Sequence, residues 1–364
     1  MYMFRSQGII VLLYMGRIRL LADRMTALLS MGLILTVLAG CMGVSNGTQA
    51  GTGYERIVIP ANPDMVYTMK GVAIDLPQSD FEDMRRAGIT ILGTEWGMEE
   101  SVGKARNFLD RADKAGLKVV MDGGFSYTAW GFTDDDWGRL PAGKHPVWQK
   151  EKVQSWISAL KDHPAVYAWD ISNEFGENLP SGAGMAGSDW PRGRLTAAQL
   201  AKARTDVLEV DTSHPIHIRM YGWDINGMQP HIKAVLSQRI ADIISLNLYS
   251  NYLEKGQLQW PDVIQDAATY YVKKIKELAP GTFVWVSIAA FEYDDLFQRP
   301  TLDGLRRDLK YISLIKELDG VSFFCWGPVN QWDETCDWYL PQTGADLWSE
   351  IKSYMKDPAK FMSE

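Results

Sequence analysis

Val166-Tyr167-Ala168-Trp169-Asp170-Ile171-Ser172-Asn173-Glu174 is a short apolar run that closes on an amide and a carboxylate. Val166–Ser172 reads as a strand buried on both of its faces. Seven other runs share this character: Lys70–Asp75, Thr90–Thr94, Lys118–Asp122, Ile216–Met220, Asp242–Leu248, Phe283–Ala289 and Val321–Trp326. Between them lie amphipathic stretches at helical spacing, among them Asp80–Ala87, Lys104–Ala115, Ala197–Glu209, Pro261–Leu278 and Leu302–Leu318. Ala87-Gly88-Ile89 and Ala115-Gly116-Leu117 carry the glycine that ends a helix before the next strand. Eight strands alternating with helices predict a closed (β/α)₈ barrel, an α/β fold of one domain over residues 56–364. An open doubly wound sheet is the alternative. It would need a glycine-rich first turn to hold a dinucleotide, and none follows Asp75.

The residues before this body read as export machinery. Arg17, Arg19 and Arg24 precede the apolar run Met25–Leu38, and Leu38-Ala39-Gly40-Cys41 resembles a bacterial lipobox. Residues 1–40 are therefore expected to be a lipoprotein signal, with Met25 as an alternative start and Cys41 as the lipidated first residue. A plain signal peptide or a membrane anchor is the other reading, although about twenty apolar residues are needed to span. Residues 41–55 are rich in Gly, Ser, Thr and Asn and read as a flexible tether. Residues 1–40 carry a charge of +3, so their removal takes the formal net charge from −8 to −11. An acidic body excludes nucleic acid as an expected partner and leaves membrane attachment to the lipid. After Cys41 only Cys325 and Cys336 remain, too few for a disulfide framework. The histidines are scattered, and neither a metal nor a cofactor is expected. A monomer at the cell surface or periplasmic face is the expectation.

In a barrel of this kind, chemistry sits at the C-terminal ends of the strands and in the loops that follow. Those ends are Asp75, Glu95, Asp122, Asn173 with Glu174, Tyr221, Asn247 with Tyr249, Glu292 and Trp326. They are rich in carboxylates and aromatic groups, and no Ser stands in a G-x-S-x-G elbow. Such a set suits glycosidic cleavage, in which one carboxylic acid protonates the leaving oxygen and a second carboxylate attacks or activates water.

The strand closing in Asn173-Glu174 resembles the fourth strand of the clan A glycoside hydrolases, such as the family 5 cellulases and mannanases. The resemblance implies that Glu174 is the acid/base and that Asn173 bonds the sugar 2-hydroxyl. It also implies a carboxylate nucleophile ending strand seven. There the family pattern falls on Ile288, and the nearest carboxylate, Glu292, is the candidate nucleophile, with a loop carboxylate facing water or pairing with Arg299 as the alternative. Ser245-Leu246-Asn247-Leu248-Tyr249 is similar to the family's His-x-Tyr, with Asn247 in the histidine's place and Tyr249 as a hydrogen-bond partner of the nucleophile. Trp326 resembles the family's substrate platform. Of the 14 Trp, Trp96, Trp130, Trp223 and Trp332 fall in other loops of the same face, where packing is an equal alternative. Glu95 and Trp96 are further candidate substrate ligands, with a helix cap as the alternative for Glu95. His217 and Arg219 could be sugar ligands or could face outward.

Two departures bound the resemblance. The family's arginine near strand two and histidine after strand three are replaced by Thr94-Glu95 and Asp122-Gly123-Gly124. The sequence thus leads to a β-glycosidase acting on oligo- or polysaccharide. Its alternative is a catalytically inactive carbohydrate-binding lipoprotein on the same barrel. A metal-dependent barrel hydrolase would want His-x-His after strand one, where Ile74-Asp75-Leu76 stands.

Overall fold

The computed structural model describes residues 65–94, 101–121, 129–131, 147–173, 195–221, 230–254, 256–293, 297–327, 330–331, 334–335, 339–341 and 344–363. The expected leader, the expected tether and Cys41 lie outside these residues, as do Glu95, Trp96, Asp122, Glu174, Trp223, Trp332 and Cys336.

Eight strands form a closed, all-parallel barrel. They are β1 (Val66–Val72), β2 (Ile91–Thr94), β3 (Lys118–Met121), β4 (Val166–Asn173), β5 (Ile216–Tyr221), β6 (Ile243–Asn247), β7 (Phe283–Ala289) and β8 (Gly320–Trp326). Each pairs with the next in sequence, and β8 closes on β1 through register partners such as Thr68 with Ser322. The helices are α1 (Gln78–Ala87), α2 (Val102–Lys114), α3 (Lys150–Leu160), α4 (Ala197–Leu208), α5 (Pro230–Ser237), α6 (Thr269–Leu278), α7 (Leu302–Ser313), α8 (Ala345–Lys356) and α9 (Pro358–Ser363). A π-helical turn, Ile264–Ala268, leads into α6.

Local chemistry sets the helix ends. The Ser101 and Thr301 hydroxyls accept from the amides of Lys104 and Gly304. Thr196 and Gln199 form a full capping box on α4. Gly88 ends α1 at φ 113°, returning its amide to Arg85 and Met84, a conformation an L side chain resists. On the outer faces of the strands, Met69, Leu92, Trp169, Ile218, Leu246, Val286 and Phe323 are buried against helix residues such as Phe81, Phe108, Ile157, Leu200 and Leu309. Each such side chain removed from water stabilises the fold by about 1.5–3 kcal/mol.

Inside the barrel, the end where the strands begin is apolar. Val66, Ile91, Val120, Ala168, Ile243 and Trp285 fill it, with Tyr167 stacked on Trp285 at 6.3 Å. Further along the strands the interior turns polar. Thr68 and Ser322 join their hydroxyls, and Lys70 donates to Asn247 Oδ1 at 3.0 Å and Ser287 Oγ at 2.9 Å. A lysine of β1 that reaches β6 and β7, past β8, must cross the lumen.

The first strand differs from expectation. It spans Val66–Val72, not Lys70–Asp75, and Asp75 is exposed in the turn beyond. The apolar run 71–76 reads as a strand, but Gly71 takes φ 59° and the β1–β2 register shifts between Met69 and Val72. A Cβ on Gly71 would lie 2.4 Å from the Phe324 ring, so both its φ and its surroundings call for glycine.

Candidate active site at the mouth of the barrel

Asn173 is the last residue of β4 and pairs in register with Arg219 of β5. Just before it the β4–β5 register shifts between Asp170 and Ser172. Such a bulge re-aims the side chains that follow, and bulges gather near working sites.

Asp170 is fully buried and gathers the charges of this side. Arg219 donates its Nε to Asp170 Oδ2 at 2.6 Å, and the Ser172 amide reaches Oδ1 at 3.0 Å. His217 Nδ1 lies 3.3 Å from the same carboxylate, while its Nε2 meets Ser245 Oγ at 2.7 Å. The His217 ring is also 5.6 Å from Trp285 of β7, across the lumen. His217 and Arg219 therefore face inward, which resolves the choice the sequence left open. Burial pushes the Asp170 carboxyl up, but Arg219, His217 and the Ser172 amide outweigh it and hold the group below the usual carboxylate range. Burial pushes the His217 imidazole down, and Asp170 opposes this only in part.

Asp170, His217 and Ser245 have the connectivity of a hydrolase triad. Their relative exposures are 0%, 1% and 0%, so no substrate carbonyl reaches the hydroxyl. The set instead fixes Arg219 beside the end of β4.

Asn247 ends β6 with its carboxamide oxygen on Lys70, which fixes which way the amide points. Tyr249, two residues on, is half-buried among Phe291 at 5.4 Å, Phe297 at 6.0 Å and Phe324 at 6.1 Å. Glu292 follows β7 by three residues. It is half-buried, and Phe291 and Tyr293 on either side of it are buried in the same aromatic cluster. β7 itself ends in Ser287-Ile288-Ala289 and carries no carboxylate.

Trp326 is a correction. Its exposure is 0%, its indole donates to Asp80 of α1 at 3.1 Å, and its ring meets Trp348 of α8 edge-on at 4.8 Å. A stacking platform needs an open indole face, so in this structure Trp326 packs the helical shell. Inward and outward positions alternate along a strand, yet the alternation is interrupted here: Ser322 and Phe324 share the inward face with Thr68 and Lys70, and Trp326 has turned out. Phe324 is the aromatic residue that β8 gives to the mouth, half-buried against Phe291 at 4.9 Å. Trp130 also packs: it is 2% exposed, and its indole donates to Ile171 O at 2.7 Å.

Sequence reasoning missed Lys70, Asp170 and Phe324. Lys70 lay at the start of a misplaced strand, and Asp170 stood three residues before the more conspicuous Asn173. Among the described residues, no group of His, Cys, Asp or Glu is arranged to hold a metal ion.

No protein-family model matches the chain, and no curated protein sequence matches it. Solved structures do. The chain is similar to the β-galactosidase of the psychrophilic Marinomonas ef1 at a TM-score of 0.53 and 14% identity, over 82% of this chain and 62% of that one. It is similar to an FMN-binding β-glucuronidase at 0.52 and 11%, over 82% and 45%. It is similar to the β-glucosidase of Thermotoga maritima at 0.50 and 14%, over 77% and 86%. What the chain shares with these structures is its fold, which here is a closed parallel barrel. The chain spans less than two thirds of the first two relatives, and at these identities the likeness is one of fold.

Proposed function

We propose that the chain is a β-glycosidase, with Glu174 as acid/base. The observation that carries this reading is the end of β4: the strand stops at Asn173, the residue before Glu174, inside a barrel of the glycosidase fold. The chemistry asks for an acid that keeps its proton near neutral pH and gives it to the leaving oxygen. Asn173 would bond the sugar 2-hydroxyl, a contact that tightens as the oxocarbenium ion develops. Asn247, Glu95 and Trp96 are proposed to line the same site, and Tyr249 to hold the second carboxylate. That second group is Glu292, which would attack the anomeric carbon in a retaining reaction. Retention wants the two carboxyls about 5 Å apart, and about 6.5–9.5 Å would mean inversion through water. The substrate is a β-linked oligo- or polysaccharide met at the cell surface, where lipid on Cys41 would tether the enzyme. Mass spectrometry of the native protein should find an acylated Cys41 as first residue, and an unmodified start elsewhere would remove the anchor.

The carboxylate-free end of β7 favours a second reading, a carbohydrate-binding barrel without turnover. A 2-fluoro β-glycoside separates the two. The enzyme reading expects a covalent adduct on Glu292 and rescue of Glu292→Ala by azide with inverted product. An active protein labelled at another residue would transfer the nucleophile's role to that residue. No adduct and no turnover would leave the binding barrel.

A further inference from the structure

The loop that leaves β6, and carries Tyr249 at its start, folds before α6 into a cleft of about 380 Å³. Gln259, Trp260, Asp262, Asp266 and Tyr271 line it. Trp260 is half-buried, packed against the core while it forms one wall. Asp262 is ion-paired with Arg307 Nη1 at 3.0 Å, so its charge is balanced. Asp266 is exposed on the π-helical turn, an irregularity often kept for binding. Burial pushes the Tyr271 hydroxyl up to about 12, so it remains a donor at any physiological pH. Two of the five exposed large apolar side chains among the described residues, Leu258 and Tyr270, are chain neighbours of this lining.

We infer that this cleft is an auxiliary saccharide-binding site that takes a neutral hexopyranose unit of a glycan chain. An indole wall, two carboxylates, a carboxamide and a protonated phenol meet the two things a pyranose presents, an apolar ring face and a rim of hydroxyls. An organic cation is served less well, because Arg307 cancels one of the two charges and the other stands in screening solvent. The choice of glycan as ligand rests on the glycosidase reading, whereas the cleft does not.

The probes are cello-, manno- and β-galacto-hexaoses, added to the full chain carrying Glu174→Gln so that turnover does not consume them. Saturation-transfer NMR and tryptophan fluorescence report binding. At least one hexaose is expected to bind, and Asp266→Ala or Trp260→Phe should each weaken association about tenfold, a loss of about 1.4 kcal/mol. Asp266 is exposed, so its variant tests the site even if Trp260→Phe disturbs packing. In the otherwise unaltered chain, both substitutions should leave turnover of a small aryl β-glycoside unchanged and slow attack on polysaccharide several-fold. Binding equal to that of the parent in Asp266→Ala and Trp260→Phe, no binding of any hexaose, or saturable binding of butylammonium instead would each overturn the proposal. If no form hydrolyses the aryl glycoside while hexaose binding is lost in Asp266→Ala, the glycosidase reading falls and the cleft stands.

Discussion

The two halves of the barrel mouth are built from different materials. On the β4–β5–β6 side the interior is a hydrogen-bonded set of ions and polar groups, with Asp170 holding Arg219 and His217 and with Lys70 holding Asn247. On the β7–β8 side, past the buried hydroxyls of Ser287 and Ser322, it is a cluster of rings, with Phe291, Phe297 and Phe324 around Tyr249. The polar half fixes orientation, because each ion has few geometries that satisfy it once water is gone. The aromatic half excludes water and shapes space, but it offers no acid on its strands. An enzyme on this scaffold would therefore draw its proton donor from the ordered polar side and its second carboxylate from a loop.

The largest expected effect tests the proposed acid, next in sequence after Asn173 at the end of β4. Glu174→Gln should lower turnover of a natural glycan by roughly 10²–10⁴-fold while the far-ultraviolet circular dichroism spectrum is unchanged. An activated aryl glycoside, whose leaving group needs little protonation, should lose less in its first step. Unchanged glycan turnover removes Glu174 from the mechanism.

Next comes the carboxylate at the centre of the polar half. Asp170→Ala removes the buried carboxylate that Arg219, His217 and the Ser172 amide share, a change that costs about 3–5 kcal/mol when one partner of a buried pair is lost. Urea titration measures it. The sign with pH follows from the depressed Asp170: its contribution is present above the ordinary carboxylate range and is lost as pH falls through the lower folded value. The parent should therefore resist mild acid, and the variant's deficit should shrink at low pH. A loss under 1 kcal/mol would show that the polar half is not the rigid one.

Asp308 of α7 gives the opposite sign. It accepts from Ser250 Oγ at 2.6 Å, next to Tyr249, and burial raises it to about 7 despite Ser250 and Arg307, with Asp262 adding to the rise. A carboxyl raised in the fold contributes fully below its unfolded value, and that contribution is lost as pH climbs through about 7. Asp308→Asn should flatten the fall between about pH 4 and 7, a change of up to about 4 kcal/mol at 1.36 kcal/mol per unit. Parallel pH profiles for the two proteins would show that Asp308 is not held protonated.

The smallest effect probes the rings. Tyr249→Phe should change stability by less than about 1 kcal/mol, since the ring packing is kept. If the hydroxyl holds the second carboxylate, kcat should fall while KM stays near its parent value. Equal kcat in the two proteins would make Tyr249 a packing residue alone.

The barrel was legible because its strands are short, apolar and separated by amphipathic helices, and seven of the eight expected strands overlap their observed spans closely. β1 was misplaced because Gly71 breaks the extended backbone inside an apolar run. The ends of β4 and β6 were legible because an amide closing an apolar strand is conspicuous. Lys70 was not, since a lysine ordinarily reads as solvated surface and its partners are 177 and 217 residues away. Trp326 misled because the strict alternation expected of a strand is interrupted between Phe324 and Trp326.

Those separations also bear on how the molecule is made. Thr68 waits 254 residues for Ser322, and Lys70 waits 217 for Ser287. Throughout synthesis of the intervening chain, β1 keeps an open edge and an ammonium that must stay hydrated. At about 5–20 residues per second, that interval is of order ten seconds or more. Closure is consequently a late, long-range event, and every shorter intermediate presents the unpaired strand edge on which aggregation begins. A barrel that cannot shut before its eighth strand arrives has that delay written into its topology.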